Sequence, residues 1–423
     1  MELASKLFKG DRVIWVIFMF LCLISMVEVF SATSTLAYKT ANHWEPIMHH
    51  GTFLLGGFVI VLVLHNLPCR FFAGGVILLP VSVVLLGITL VMGKDINESS
   101  RWMDLFGVRF QPSEIAKLSL IIFISFMMSR RHLYSETTVF RWIVAAVGIV
   151  CLLILPENFS TAFLLFAVCF LLMFVGQTPL MKLFQLGAVM VLAGVALFLL
   201  LHFMPGDLLN KYVPRSATWQ SRIERFYEPA AENEDDVIKI TDDNYQKIHA
   251  KIAIARGGLF GRMPGNGQQR DFLPQAYADF IYAIIFEELG IVGGLFVLLL
   301  YIILMIRVGI IARRCNTPFA RYLVMGSGLL IVVQALVNMS VAVDLIPVTG
   351  QPLPLISRGG TSTLINCAYI GMILSISRFG AGIGNEEEGK GEEEGEGEGE
   401  GEEEKETTEE VAEEGVEALA ACN

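Results

Sequence analysis

The stretch FIYAIIFEELGIVGGLFVLLLYIILMI at residues 280–306 determines the fold class of this chain. An α-helix needs about 20 predominantly apolar residues to cross the hydrocarbon core of a bilayer. This run is longer than that, and its only charged residues are Glu287 and Glu288. It therefore predicts a membrane-spanning helix rather than the buried helix of a soluble domain.

Nine further apolar runs lie on either side of this one. They cover residues 13–32, 49–65, 71–92, 113–129, 142–156, 160–176, 183–203, 320–343 and 361–377. The first run is too long for the apolar region of a cleavable signal peptide, which has about 7–15 residues. The pattern predicts an all-α polytopic membrane protein of about ten transmembrane helices, or eleven if residues 252–261 dip into the membrane.

Composition and charge agree with this fold class. Apolar types make up 54% of the 423 residues and charged types 17%, whereas a soluble domain averages about 25% charged residues. The net charge of −11 is concentrated after Gly380, where 18 Glu face two Lys, so the preceding residues carry +5. Basic residues occur singly rather than in patches, which argues against a nucleic-acid partner. These features exclude an ordinary soluble enzyme.

The Glu- and Gly-rich segment 381–423 differs from the rest of the chain. Such a composition cannot bury enough apolar surface to order itself. We therefore predict a disordered cytoplasmic tail. A passive solubilising role is the default interpretation, and an electrostatic docking tail is the alternative.

Basic residues in the short loops predict the orientation, because cytoplasmic loops carry an excess of Lys and Arg. This excess places both termini in the cytoplasm and a long extracytoplasmic loop, 204–279, between helices 7 and 8. A loop of roughly 75 residues is usually functional or disordered. Within it, residues 231–243 predict a mobile acidic insertion, residues 244–256 predict an interfacial amphipathic helix, and residues 257–267 are rich in glycine.

Ionisable residues inside the predicted spans are candidates for function, because each costs about 2.5–3.5 kcal/mol at the centre of a bilayer. Glu114 and Lys117 lie three residues apart on one helix and can pair on one face. Structural pairing is favoured there over contact with a substrate. Glu287 and Glu288 are also interpreted as structural, one of them pairing with a buried Lys or Arg such as Lys117.

Asp279 lies where the long loop re-enters the membrane. One interpretation is a helix N-cap, a position that Asp favours. The other is a general base in a cleft at the membrane boundary, where partial desolvation raises the pKa of a carboxylate. The local sequence leaves both interpretations open.

Arg101 and Trp102 stand in the 93–112 loop, which carries three basic residues although it is predicted to be extracytoplasmic. Arg offers a bidentate fork for phosphate, and Trp offers a ring that can stack on a sugar or rest on lipid. The plainer explanation is a headgroup-binding Arg beside an aromatic residue of the membrane interface.

Residues 344–362 (DLIPVTGQPLPLISRGGTS) hold three Pro and three Gly between two apolar spans. They cannot form a continuous helix. Ser357, Thr361 and Ser362, with the amides at Gly359 and Gly360, predict either an anion-accepting start to the last span or a rigid turn.

Motifs along the apolar region resemble those of the SEDS family of bacterial cell-wall polymerases, the group of FtsW and RodA. The matching motifs are RW at 101–102, QPSEIAK at 111–117, YQ at 245–246, GGLFG at 257–261, LPQAYADFIYAIIFEELGIVGG at 273–294 and PVTGQPLPLISRGGTS at 347–362. The resemblance covers about residues 11–380. It implies a SEDS-type transmembrane glycosyltransferase domain at 1–380.

The resemblance implies a glycosyltransferase that polymerises lipid II into glycan strands at the outer face of the bacterial cytoplasmic (inner) membrane. Asp279 falls on the family's proposed catalytic base, and Asp271 falls on an acidic position that also matters in the family. The residues expected to contact substrate are Arg101, Trp102, Lys117, Arg222, Gln246, Asp271, Ser357, Arg358, Gly359, Gly360, Thr361 and Ser362.

The chain departs from the family pattern at several positions. Glu157 replaces an Asp, Gln351 replaces a Leu, and Arg358 replaces the usual Tyr. Tyr277-Ala278 stands where His-Thr often precedes the catalytic Asp. None of these changes removes a proposed catalytic group.

No nucleotide-binding glycine loop follows a strand in this sequence, which fits a substrate already activated as a pyrophosphate. We therefore expect no nucleotide cofactor. Stabilising the leaving pyrophosphate requires cationic donors or a metal. A divalent cation, Mg²⁺ or Mn²⁺, is consistent with this requirement, although no ligand cluster marks its site.

The resemblance also implies partners. These are lipid II as substrate, a class B penicillin-binding protein transpeptidase, and membrane proteins of the divisome or elongasome. Residues 216–229 (SATWQSRIERFYEP) resemble the FtsW form of the loop more than the RodA form, which favours septal wall synthesis. The alternatives are an elongation-type RodA polymerase, a lipid II flippase or other transporter, and a scaffold that only recruits a transpeptidase.

Overall fold

The structure, a computed structural model, describes residues 8–33, 44–92, 103–105, 108–203, 245–273 and 276–379. Three of the predicted site residues, Arg101, Trp102 and Arg222, lie outside these ranges, as do the predicted acidic insertion and the 381–423 tail.

The described residues are overwhelmingly helical. The helices are α1 (Arg12–Ala32), α2 (Glu45–His65), α3 (Leu78–Met92, continuing a 3₁₀ segment Cys69–Ile77), α4 (Pro112–Ser129), α5 (Glu136–Ile154), α6 (Phe159–Val175), α7 (Leu180–Phe203), α8 (Tyr245–Gly257), α9 (Ile281–Arg314), α10 (Pro318–Ala342) and α11 (Thr361–Phe379). By length and composition, eight are able to cross a membrane, and two shorter apolar helices lie in α6 and α7. The prediction of an all-α polytopic membrane protein is confirmed.

Local sequence accounts for where several helices begin. Asp11 accepts hydrogen bonds from the Val13 and Ile14 amides at 2.9 and 3.2 Å, and so caps α1. Asn158 caps α6 through the Thr161 amide. Each cap satisfies backbone donors that the first turn of a helix leaves without partners. Asp11 also pairs with Arg307 near the end of α9, so the cap connects two helices.

Helices α10 and α11 are among the most enclosed, and α4, α9 and α2 pack against them. Small residues permit this close packing, as is usual between membrane helices. A Cβ added at Gly328 of α10 would lie 2.6 Å from Val308 of α9. A Cβ added at Gly57 of α2 would lie 2.5 Å from the Cys367 sulfur of α11.

Helix α9 is not the continuous span that its sequence predicts. Gly290 has φ 72° and ψ −171°, which breaks the helix into two segments. The free backbone groups around the break are satisfied by residues 258–263, hereafter the 258–263 loop. The loop supplies the Arg262 and Met263 amides as donors and the Gly258 and Leu259 carbonyls as acceptors. This arrangement is how irregular backbone is tolerated at membrane depth.

The described part of the 204–279 loop begins with α8, where the sequence predicts an amphipathic helix. Its 13 residues are fewer than the roughly 20 needed for a span, so α8 is no eleventh span. Lys247 and Lys251 lie 3.1 and 2.6 Å from Asp344, just beyond α10. A two-stranded antiparallel hairpin, β1 (Met103–Leu105) and β2 (Val108–Phe110), precedes α4. It is too short to change the fold class.

Candidate functional site

Asp279 lies in a turn just before α9 and is partly buried. Residues 277–279 are hereafter called the Asp279 turn. Their three consecutive carbonyls accept hydrogen bonds from distant parts of the chain. The Arg358 amide donates to Tyr277 O at 2.9 Å, and Ser357 Oγ donates to Ala278 O at 2.6 Å. Asn338 Nδ2 donates to Asp279 O at 2.9 Å. The backbone that carries Asp279 is therefore fixed at three successive points.

The helix N-cap interpretation of Asp279 is wrong. Helix α9 has Phe280 at its N-cap position, with no side-chain hydrogen bond to cap it. The Asp279 carboxylate lies instead beside the backbone of Gly350, where an added Cβ would be 3.7 Å from Oδ2. Gly350 has φ 67°, a conformation that glycine adopts without strain.

The Pro-rich segment between α10 and α11, residues 344–360, is held by polar side chains of neighbouring helices. Gln334 Nε2 donates to Pro352 O at 3.1 Å, and the Tyr301 hydroxyl donates to Pro354 O. Asn338 Nδ2 also donates to Gln351 O at 2.8 Å, and Gln351 Nε2 donates to Thr161 Oγ1 at 2.6 Å. Buried backbone carbonyls of this irregular segment thereby gain the partners they require.

The Glu114–Lys117 pair lies beneath this segment. Lys117 Nζ is 2.8 Å from Glu114 Oε1 and 3.2 Å from Gln334 Oε1. Lys117 is 1% exposed and Glu114 is 5% exposed. Because Gln334 also donates to Pro352 O, the ion pair is connected to the segment that flanks Asp279. Lys117, which the sequence marks as a substrate contact, is enclosed by protein groups.

Glu287 and Glu288 do not pair with Lys117 as the sequence suggested. The Glu287 carboxylate accepts hydrogen bonds from the Gln268 and Gln269 amides, each at 3.0 Å. Loop amides provide what the prediction assigned to a cation, because a carboxylate is also stabilised by backbone donors.

Glu288 does have a cationic neighbour, but it is Arg270. Glu288 Oε1 lies 3.6 Å from Arg270 Nη1 and accepts a hydrogen bond from Ser31 of α1 at 2.5 Å. Its other oxygen accepts from the Gly265 amide at 3.1 Å. The two glutamates thus anchor residues 265–270, which lead directly to the Asp279 turn.

The residues predicted to accept an anion at the start of α11 divide into two groups. Ser357 donates to Ala278 O and Ser362 donates to Gly359 O, so both hydroxyls serve the fold. Arg358 is partly exposed and its guanidinium lies 5.5 Å from the centre of the Tyr277 ring. Burial lowers the pKa of Arg358 below its ordinary value, yet an Arg with an ordinary pKa above 12 remains charged. Gly359, Gly360 and Thr361 are also partly exposed.

Asp271 and Gln246 lie on elements next to the turn. Asp271 is exposed and belongs to a short 3₁₀ turn, Gln269–Asp271. Gln246 is partly buried on α8. Helix α8 is linked to the same 3₁₀ turn, because His249 Nδ1 lies 2.6 Å from Gln269 Oε1.

A divalent-cation site does not emerge from the residues that the structure describes. They contain no group of three His, Cys, Asp or Glu side chains arranged to hold a metal ion. The donor set around the Asp279 turn consists mainly of amides, hydroxyls and cations, which does not fit Mg²⁺ or Mn²⁺.

A family model described as "Cell cycle protein", that of FtsW, RodA and SpoVE, matches residues 11–381. The chain belongs to the FtsW/RodA/SpoVE family. A relative named "Probable peptidoglycan glycosyltransferase FtsW", from Halomonas elongata, is 31% identical over 369 residues, covering 84% of this chain and 87% of the relative.

Two solved structures share the fold of this FtsW/RodA/SpoVE-family chain. One, described as "Structural coordination of polymerization and crosslinking by a peptidoglycan synthase complex", has a TM-score of 0.67 at 23% identity, covering 87% of this chain and 98% of that chain. The other is the rod shape determining protein RodA of Thermus thermophilus, with a TM-score of 0.60 at 23% identity, covering 88% of this chain and 97% of that chain.

Sequence reasoning missed two uncharged polar residues and one arginine of this family member. Asn338 and Gln334 hold the Asp279 turn and the Pro-rich segment, and Arg270 pairs with Glu288. Gln334 and Asn338 stand four residues apart within an apolar span. That spacing places both on one helix face, and it was the signal available in the sequence.

Proposed function

We propose that this protein is a peptidoglycan glycosyltransferase that polymerises lipid II into glycan strands at the outer face of the cytoplasmic membrane, in septal wall synthesis. Family membership and the names of its relatives support the reaction class. The observation that carries the proposal is the Asp279 turn, in which an acidic residue is held rigidly between the described end of the long loop and the Pro-rich segment.

Asp279 is the general base in this proposal. Its carboxylate takes the proton from the sugar 4-hydroxyl of one lipid II, and the freed oxygen forms a bond to the anomeric carbon of a second lipid-linked chain. The bond from that carbon to the pyrophosphate oxygen breaks, and its electron pair leaves with the polyprenyl pyrophosphate. The anomeric centre is inverted. A positioned base contributes typically about 10²–10⁴-fold to such a step.

The leaving pyrophosphate needs positive charge, because charge develops on it as the bond breaks. Arg358 is a candidate among the described residues, since it directly follows Ser357, which donates to the Asp279 turn, and is partly exposed. Arg101 and Arg222 remain candidates from the sequence. Lys117 is less suited, because it is buried against Glu114 and Gln334.

Location and partners follow from the same proposal. A lipid-linked substrate at the outer face requires the Asp279 turn on the extracytoplasmic side, and the basic loops then place both termini in the cytoplasm. The related complex is a peptidoglycan synthase that couples polymerisation to crosslinking. We therefore assign this chain a class B penicillin-binding protein as partner, within the divisome, with the elongasome as the alternative.

The rival function is transport of lipid II or another amphiphile. A specific observation favours it, because α9 is broken at Gly290 next to two buried carboxylates, and discontinuous helices are typical of transporters. The two functions separate in detergent, where there is no second compartment. Purified full-length protein with its cognate transpeptidase should convert lipid II into glycan strands; only transport across vesicles, without strands, would support the rival.

A further inference from the structure

Asn338 and Ser357 donate hydrogen bonds to the backbone of the Asp279 turn and are hereafter called the clamp. The inference about them rests on the catalytic role proposed above. We propose that Asn338 and Ser357 are positioning residues that set the place and direction of the Asp279 carboxylate. Each acts through the backbone of the turn, by donating to Asp279 O and Ala278 O respectively.

Asn338 fixes two backbones with one amide. Its Nδ2 donates to Asp279 O at 2.9 Å and to Gln351 O at 2.8 Å. Gln351 follows Gly350, whose backbone lies beside the Asp279 carboxylate. The base and the wall that flanks it are therefore held in register by a single side chain, which is 1% exposed.

Ser357 has the same effect from the other side of the turn. Its hydroxyl donates to Ala278 O at 2.6 Å and accepts from the Leu353 amide at 2.8 Å. It is 2% exposed. The proton and an oxygen lone pair are both engaged, so Ser357 belongs to the support of the base rather than to substrate contact.

The geometric demand on a general base explains why such support matters. The carboxylate oxygen must come within about 2.6–3.2 Å of the oxygen whose proton it removes. A misplacement of about 1 Å can cost on the order of 10²-fold in rate. Releasing one of three successive anchors permits a displacement of this size without unfolding the helices.

The test compares Asn338→Ala and Ser357→Ala with Tyr301→Phe in the full-length protein with its transpeptidase partner and lipid II. Tyr301→Phe is the matched control: it removes a buried hydrogen bond to Pro354 O of the same Pro-rich segment but leaves the Asp279 turn intact. Rates are measured near pH 7 over a range of lipid II concentrations, with thermal unfolding of each variant.

We expect Asn338→Ala and Ser357→Ala to lower kcat by about 10- to 100-fold near pH 7, with KM for lipid II within about twofold. Tyr301→Phe should lower the unfolding temperature with kcat nearly unchanged. A fold defect would instead lower kcat only in proportion to the loss of folded protein.

The inference is overturned if Ser357→Ala, the smaller change, retains full kcat, or if both variants lose kcat only in proportion to the loss of folded protein. It is also overturned if Tyr301→Phe loses as much activity as they do. Failure of the proposed function is a separate result: the wild-type protein would then form no glycan strands, whereas normal polymerisation by Asp279→Asn would reject only the general-base role. A dead Asp279→Asn with fully active clamp variants rejects only the positioning role.

Discussion

Replacing Gly257 by alanine tests how the break in α9 is stabilised. Gly257 ends α8, directly before the 258–263 loop, and a Cβ there would overlap the Phe286 carbonyl oxygen and lie 3.1 Å from Glu287 Cα. The clashing atoms belong to backbone, which cannot move aside as a flexible side chain can. The substitution should therefore push the loop away from α9.

The size of the effect follows from the hydrogen bonds that the loop makes. Arg262 N donates to Glu287 O at 3.0 Å, Met263 N donates to Glu288 O at 2.8 Å, and the Ile291 and Val292 amides donate to the loop at 2.9 and 3.2 Å. Each hydrogen bond contributes about 0.5–1.5 kcal/mol. Losing all four predicts a decrease of about 2–6 kcal/mol in the free energy of unfolding.

Thermal unfolding in detergent measures this change, with the reaction of the buried cysteines with a thiol-reactive dye as the readout. Gly309→Ala is the matched control, because Gly309 lies in regular helix of α9 with nothing within 4 Å of an added Cβ. Alanine is the better helix former there by up to about 1 kcal/mol, so the control should be neutral or stabilising. Equal unfolding temperatures for the two variants would refute the role assigned to the loop.

Two further predictions concern buried and bridging charges. Glu28 is 0% exposed, and neither of its carboxylate oxygens has a hydrogen-bond partner in the described structure. Glu28→Met should therefore leave the free energy of unfolding unchanged or raise it by up to about 3 kcal/mol. A clear decrease in unfolding temperature would contradict this. Asp344 has φ 62° and pairs with Lys247 and Lys251. Because Asn tolerates that backbone conformation, Asp344→Asn should lower the free energy of unfolding by less than about 1 kcal/mol. About 1 M salt should remove the difference between the variant and the wild type. A loss that salt does not change would show that Asp344 acts through more than charge.

The helical architecture was predictable because a bilayer imposes a simple length and polarity rule on each span. All ten predicted apolar runs correspond to helices. The break at Gly290 was not predictable from the run 280–306, because it depends on amides and carbonyls supplied by the 258–263 loop. A glycine inside an apolar run is compatible with either a continuous or a broken helix.

The sequence directed attention to charged residues such as Asp279 but not to several of the side chains that support the candidate site. Asp279 was singled out because it lies where the long loop re-enters the membrane and falls on the family's proposed catalytic base. The structure places it between the Pro-rich segment and α10. Asn338 and Gln334 carry no charge and gave a weak signal. The sequence predicted a buried Lys or Arg partner for one of Glu287 and Glu288, with Lys117 as the example; it did not point to Arg270, because spacing along the chain gives no distance between Glu288 and Arg270 in the folded state.

The most direct test of the account is lipid II polymerisation by Asp279→Asn in the full-length protein with its transpeptidase partner. Asn has nearly the same shape as Asp, and the Asp279 carbonyl that Asn338 holds is unchanged by the substitution. We predict that the unfolding temperature stays the same while the rate of strand formation falls by at least about 10²-fold. Strand formation near the wild-type rate would contradict a general-base role for Asp279.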